Sequence, residues 1–174
     1  MKIRKVDISD AENLVNLILQ VEKESEYMLM EPGERQLTVE QQAQRIKSFQ
    51  KSHNSTIFVA EKESQLVGYL FAVGGSAKRT AHSVYLVIGI LKDFRGLGIG
   101  TSLFQQLERW AVAHSIHRLE LTVVTRNEAG IALYKKMGFE IEGKKQNSLL
   151  INSEFVDEYY MAKLIQGDSD GNLK

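Results

Sequence analysis

The chain contains no cysteine, which excludes disulfides, thiolate catalysis and cysteine-ligated metal sites. Its one proline, Pro32, stands beside Gly33, so the strongest turn signal falls there. No run of about 18 apolar residues occurs, and no apolar segment follows Met1, so neither a membrane span nor a secretory leader is expected. A cytoplasmic location is the corresponding expectation. Charge of one sign is also lacking: 22 Lys and Arg balance 22 Asp and Glu. General attraction to nucleic acid or to an anionic membrane is therefore not expected. The four histidines, His53, His82, His114 and His117, show no metal-ligand spacing, and no metal is expected. The 43% hydrophobic and 25% charged composition over 174 residues suits one globular domain with a sizeable core. That domain is expected over 1–165, with 166–174 as a frayed tail.

What is present centres on Val84 to His114. Val84 to Leu91 is apolar and rich in β-branched residues, broken only by Gly89, which reads as a buried central strand. After Lys92-Asp93-Phe94 comes Arg95-Gly96-Leu97-Gly98-Ile99-Gly100. From Thr101 to His114 the period becomes helical, with Leu103, Leu107 and Ala111 on one stripe, widened by Phe104 and Trp110. A helix entry carries unpaired N–H groups and the positive end of the helix dipole. Glycines there admit a phosphate close to the backbone. The alternative is a tight connection using glycine only for its positive φ. The dinucleotide pattern fails, because Leu103 stands where a third small residue belongs, and the P-loop pattern lacks its lysine before Thr101.

Around this unit the chain reads as strand, two helices, three strands, helix, strand, helix and two strands. Lys2 to Ile8 is the first strand, with Ser9-Asp10 as N-cap chemistry for a helix ending near Glu24. Thr38 and Gln41 form a capping box for the second helix. Thr56–Glu61 and Gln65–Val73 make a hairpin around Lys62-Glu63-Ser64, and Gly74–Thr80 is a flexible loop. Arg118–Val124 is a strand; Ala129–Met137 is a helix stopped by Gly138. Phe139–Glu142 and Phe155–Leu164 form the last strands around a polar connection. The order predicts an α/β fold with a mixed sheet of about six to seven strands, flanked by about four helices on both faces.

Two motifs in sequence carry a resemblance. Arg95-x-x-Gly98-x-Gly100 and, further on, Asn127 with Leu133-Tyr134 and Gly138-Phe139 resemble the GNAT superfamily of acetyl-CoA-dependent N-acyltransferases. Ile3-Arg4 with Asp10-Ala11 is also typical of that family. The resemblance implies the GNAT fold and acetyl-CoA as co-substrate. It implies that backbone groups of Ile90 and Leu91 pair with the pantetheine amides. Arg95, Gly96, Leu97, Gly98, Ile99 and Gly100 would wrap the pyrophosphate, and Thr101 would continue the first helical turn. Asn127 would contact the pantetheine arm, its other role being an N-cap. Tyr134 would protonate the departing thiolate, its other role being core packing. Gly130 stands where many members carry alanine, and Lys92 where many carry proline.

The activity implied is transfer of acetyl from acetyl-CoA to a primary amine, without a covalent enzyme intermediate. The acceptor would be a small molecule or a peptide N-terminus. The alternative is a CoA-binding sensor without turnover. The strand from Val84 to Ile90 has no acidic residue to act as base; His82, Glu31, Glu34, Glu120 or a water chain could serve. The loop Met28–Leu37, between the first two helices, would cover the acceptor, with Glu31 and Glu34 meeting its amine. A homodimer is left open.

Overall fold

The computed structural model describes residues 1–166; apart from Gln166, the expected tail lies outside the described residues. The strands are β1 (Lys2–Lys5), β2 (Thr56–Lys62), β3 (Gln65–Gly74), β4 (Ser83–Ile90), β5 (Arg118–Val124), β6 (Glu140–Ile151) and β7 (Glu154–Leu164). The helices are α1 (Ala11–Glu24), α2 (Val39–Lys51), α3 (Ile99–Ala113) and α4 (Glu128–Lys136). They follow one another as the hydrophobic periods predict. The seven strands form one sheet in the order β1-β2-β3-β4-β5-β7-β6. Pairing is antiparallel except between β4 and β5, which are joined through α3 and run parallel.

Register assigns the faces. Phe71 and Val87 are cross-strand partners, and Phe71 packs edge-on against Phe49 of α2. Gly68 and Ile90 are partners on the opposite face, where Ile99 of α3 lies 3.3 Å from where a Gly68 Cβ would stand. Helices therefore cover both faces, α2 on one and α3 on the other. The core between them includes Leu14, Ile18, Phe58, Leu70, Leu103, Phe104 and Leu107.

Local chemistry explains most boundaries. The capping box Thr38–Gln41 forms in both directions. Glu63 and Ser64 both have positive φ, the conformation of a two-residue hairpin turn whose twist matches its strands. Gly138, with φ +90°, ends α4. The first cap is different from the expected one. Asp7, rather than Ser9 or Asp10, caps a 3-10 turn at Ile8–Asp10, and Asp10 closes the box by accepting from the Asp7 N–H. Asp10 is also held by Arg4 at 2.7 Å, and Ile8, which the sequence assigns to β1, belongs to this turn instead. The loop after β3 contains a 3-10 turn at Lys78–Thr80. The side-chain amide of Asn54 donates to Gly75 and Ala81 on its two sides. β6 runs through what the sequence suggests is a polar connection. It is the edge strand, so its polar stretch faces water, and its pairing with β7 is irregular between Lys145 and Leu149.

Candidate functional site

β4 and β5 pair at only three positions, Ser83–Arg118, Val84–Leu119 and Tyr85–Glu120. Both strands continue beyond this, β4 to Ile90 and β5 to Val124, so the sheet parts after Tyr85. The backbone of Leu91 is taken up within the chain: its N–H donates to Val67 O at 3.0 Å and its carbonyl accepts from Phe94 N–H at 2.9 Å. In an antiparallel ladder successive residues turn their groups to alternate sides. With Leu91 turned towards β3, Ile90 and Ile88 turn towards the parting. Gly89 breaks the apolar run for a steric reason. It is the register partner of Tyr69, whose ring would lie 2.5 Å from a Cβ at that position.

The glycine-rich segment begins with a 3-10 turn at Lys92–Phe94. Glu24, at the end of α1, accepts the Lys92 N–H at 2.7 Å. Arg95 donates through Nε to the Ile90 carbonyl at 3.1 Å, leaving its terminal N–H groups available. Gly96 and Gly98 have φ of +72° and +80°, and a Cβ on either would meet nothing within 4 Å. Gly98 is the left-handed N-cap of α3 and offers no side chain to the N–H groups of the first turn. The helix starts at Ile99, two residues before the expected Thr101. Gly100 has another job: a Cβ there would stand 2.7 Å from Leu133 Cδ2, so glycine lets α4 lie against the start of α3. At the same junction Lys136 Nζ approaches Thr101 Oγ1 at 3.4 Å. The side chain of Leu97 is 59% exposed.

Asn127 caps α4, accepting the Gly130 N–H through Oδ1 at 3.0 Å. Its amide Nδ2 would lie 2.7 Å from a Cβ at Gly130. Glycine at 130 therefore makes room for the capping side chain itself. Tyr134 lies seven residues on and is buried, with its ring edge-on to Phe104 at 5.8 Å and near Phe139 at 6.1 Å. Burial, with a smaller contribution from the neighbouring Tyr85, pushes its phenol up to about 12. Tyr85 belongs to the opposite face of the sheet, and its hydroxyl is 2.8 Å from Thr122 Oγ1 across the parting.

That opposite face is where the expected buried strand is open. Tyr85 and Val87 are 41% and 37% exposed. A cavity of about 330 Å³ lies here, lined by Tyr85, Thr122, Tyr160 and the ionic group Arg118, Glu120 and Glu142. Glu120 accepts from Arg118 Nε at 2.8 Å. His82 is exposed and lies before the paired end of β4, where its carbonyl accepts from His117 and Arg118. Glu31 and Glu34 are exposed and share one turn, in which the Glu34 carboxylate accepts the Glu31 N–H at 2.8 Å. Their loop is tied down by Met28 and Leu37, which pack against the core. It is also held by Arg35, bonded to the buried Glu22 at 2.6 Å. Glu22, Glu24 and Tyr85 carry no motif in the sequence; their partners Arg35, Lys92 and Thr122 are distant in the chain and meet them only in the fold. Among the described residues no group of three or more His, Cys, Asp or Glu could hold a metal. No helix among them is long and apolar enough to cross a membrane.

Residues 20–139 match the model of the acetyltransferase (GNAT) family. The chain is 33% identical over 110 residues to the L-amino acid N-acetyltransferase AaaT of Escherichia coli K12, a match covering 61% of this chain and 66% of that protein. A GNAT-family acetyltransferase structure from Streptococcus pneumoniae superposes with a TM-score of 0.91 at 32% identity, over 95% of this chain and 99% of that one. The Salmonella typhimurium protein yncA, solved with acetyl-CoA, shares the fold at a TM-score of 0.86 and 16% identity, over 99% and 98% of the two chains. The parted strands, the glycine-opened helix and the family match over more than half of its length agree: the chain belongs to the acetyltransferase (GNAT) family.

Proposed function

We propose that the chain transfers acetyl from acetyl-CoA to a primary amine by direct attack on the thioester. The observation that carries this reading is the parting of β4 from β5 with Tyr134 beside it. Acetyl-CoA supplies the activated carbonyl carbon. The chain's residues supply position and protons. The N–H groups of Ile88 and Ile90 and the Ile88 carbonyl, left without a strand partner, suit the pantetheine amides, while the Ile90 carbonyl already accepts from Arg95. Leu91, whose two backbone groups are already engaged, would serve by holding the end of β4 in place. The two left-handed glycines, the free first-turn N–H groups of α3 and the remaining donors of Arg95 suit a pyrophosphate, with Leu97, Ile99 and Thr101 framing it. Asn127 would hold α4 at the mouth of the parting while capping it.

The amine nitrogen would bond to the carbonyl carbon as the carbon–sulfur bond breaks and its electron pair goes to sulfur. Tyr134 would give its proton to that sulfur. The proton lost by the amine would pass through water to Glu120, which with Glu142 lines the cavity of the open face and lies opposite Tyr85 in the register. Glu31 and Glu34, on the loop above, would draw the ammonium form towards the mouth.

The test is thiol release from acetyl-CoA across amines, amino acids, polyamines and N-terminal peptides, run beside calorimetric titration with acetyl-CoA. Saturable turnover with one class supports the reading. Tight binding of acetyl-CoA with no turnover on any acceptor would make the chain a binding module instead.

A further inference from the structure

The acceptor side of the sheet holds a charge that acetyl transfer alone leaves without a use. Glu22 on α1 is 2% exposed and is paired with Arg35. Arg45 on α2 stands close by. Its guanidinium carbon lies 4.5 Å from the centroid of the Phe71 ring and 5.6 Å from that of Phe49. Among the described residues no carboxylate lies within ion-pair distance of Arg45. Its neighbours three and four positions away on the helix, Gln41, Gln42, Ser48 and Phe49, include no acid. Desolvation, then the like charge of Arg35, lowers its pKa. Arg35 thus takes the one carboxylate, Glu22, and Arg45 rests on aromatic faces instead. Cation–π contact at about 0.5–2 kcal/mol offsets part of that desolvation and fixes the position of the fork.

The position is informative. Phe71 is the register partner of Val87 on the same face, and Val87 is an exposed residue of β4 in the parted region. Directly opposed residues stand about 5 Å apart. Arg45 therefore overlooks the floor on which an acceptor would lie, one strand from the parting. Its side chain is exposed to solvent and so within reach of a ligand.

We infer that Arg45, with Arg35 behind it, forms an anion subsite, and that the acceptor is an amine carrying a carboxylate or similar anionic oxygen group. This rests on the acetyl-transfer reading above. A guanidinium fork matches two carboxylate oxygens, whereas a lysine offers only a point charge. An acceptor of this class would place its anion on Arg45 and its amine towards Tyr134. A neutral amine would leave the fork unfilled.

The experiment compares amino acids with their own amides as acceptors, for the parent and for Arg45→Gln and Arg45→Lys, each confirmed as folded by its thermal transition. Taking the acid-to-amide ratio of kcat/KM between parent and variant cancels the amines' own differences in basicity. Arg45→Gln is expected to lower that ratio roughly tenfold to a hundredfold, as suits a lost charge-assisted bond, mainly through KM for the acid. Arg45→Lys should fall between, and the KM for acetyl-CoA should not move. An unchanged ratio, or equal losses on acid and amide, overturns the inference while leaving acetyl transfer intact. If no amine is turned over, the acetyl-transfer reading fails by itself, and titration of the CoA-loaded protein with N-acetyl amino acids against their amides decides the subsite. Carboxylate-dependent binding lost in Arg45→Gln sustains it; absence of such binding overturns it.

Discussion

Tyr134 is in the right protonation state for an acid: a phenol with the ordinary pKa of about 10 is already protonated at neutral pH, and burial moves this one further away, up to about 12. A phenol stays protonated and neutral at every pH well below its pKa, so Tyr134 keeps its proton throughout pH 6 to 9. Its titration should put no descending limb on the rate in that interval. A thiol leaving group like that of a cysteine has a pKa of about 8.5, so its protonation helps without being indispensable near neutrality. Tyr134→Phe should lower kcat by roughly tenfold to a few hundredfold. The packing against Phe104 and Phe139 survives, so acetyl-CoA affinity should change little. Parent rates across pH 6 to 9, with chemistry shown to limit turnover, would reduce Tyr134 to a packing residue. The residue scale is also where the sequence was least legible. Three glycines of one short segment look alike in the sequence, yet Gly96 and Gly98 serve left-handed backbone and Gly100 serves the contact with Leu133. Gly89 and Gly130 look like interruptions until Tyr69 and Asn127 are seen to fill their places. Such jobs depend on neighbours distant in the chain, or folded back on it, which spacing does not reveal.

At the scale of elements the reading from sequence holds well. Period, caps and turn residues are local signals, and they placed every helix and strand in order. Boundaries moved where a distant partner intervened, as when Arg4 claims Asp10 beside the first cap, or when β7 pairs β6 on both sides of its polar run. The link from Glu24 to Lys92 is another long-range feature, joining the end of α1 to the turn that opens the glycine-rich segment. Its carboxylate is held below the ordinary range by Gln20 and then by the Lys92 N–H, with smaller effects from Arg95 and Lys92. Two effects on the cofactor oppose each other. The hydrogen bond steadies the turn, worth about 0.5–1.5 kcal/mol, while the negative charge works against an incoming pyrophosphate. Substitution separates them. Glu24→Gln keeps an acceptor and removes the charge, so acetyl-CoA should bind more tightly, most clearly at low salt. Glu24→Ala loses both and should bind more weakly than Glu24→Gln by roughly twofold to tenfold. Equal affinities for the two variants by calorimetry would mean that the turn does not need this bond.

Across the whole molecule the sheet is two pieces joined at a short seam. The larger piece is β1 to β4 and the smaller is β5, β7 and β6, and only three registers connect them. The seam is reinforced from the α3 face by Gly100 against Leu133 and by the ring cluster of Phe104, Tyr134 and Phe139. On the other face the Tyr85–Thr122 hydrogen bond crosses it. A seam of this kind leaves polar backbone groups without strand partners, which a folded chain tolerates only where water or a ligand meets them. Along β4 the pattern should alternate. Val87 and Gly89 face their partners Phe71 and Tyr69 in β3, so their amides should be protected from hydrogen exchange. Ile88 and Ile90 face the parting, so their amides should exchange much faster in the free protein. Acetyl-CoA filling the parting should slow Ile88 and Ile90 selectively and also protect the first-turn amides of α3. At about 100 times its dissociation constant it should add roughly 2.7 kcal/mol to global stability. Amide-resolved exchange distinguishes the local effect from this global one, because only the local effect alternates residue by residue. Equal protection of even and odd amides in the free protein would mean that the strands close over the parting. Unchanged exchange at Ile88 and Ile90 under saturating acetyl-CoA would place the pantetheine arm elsewhere.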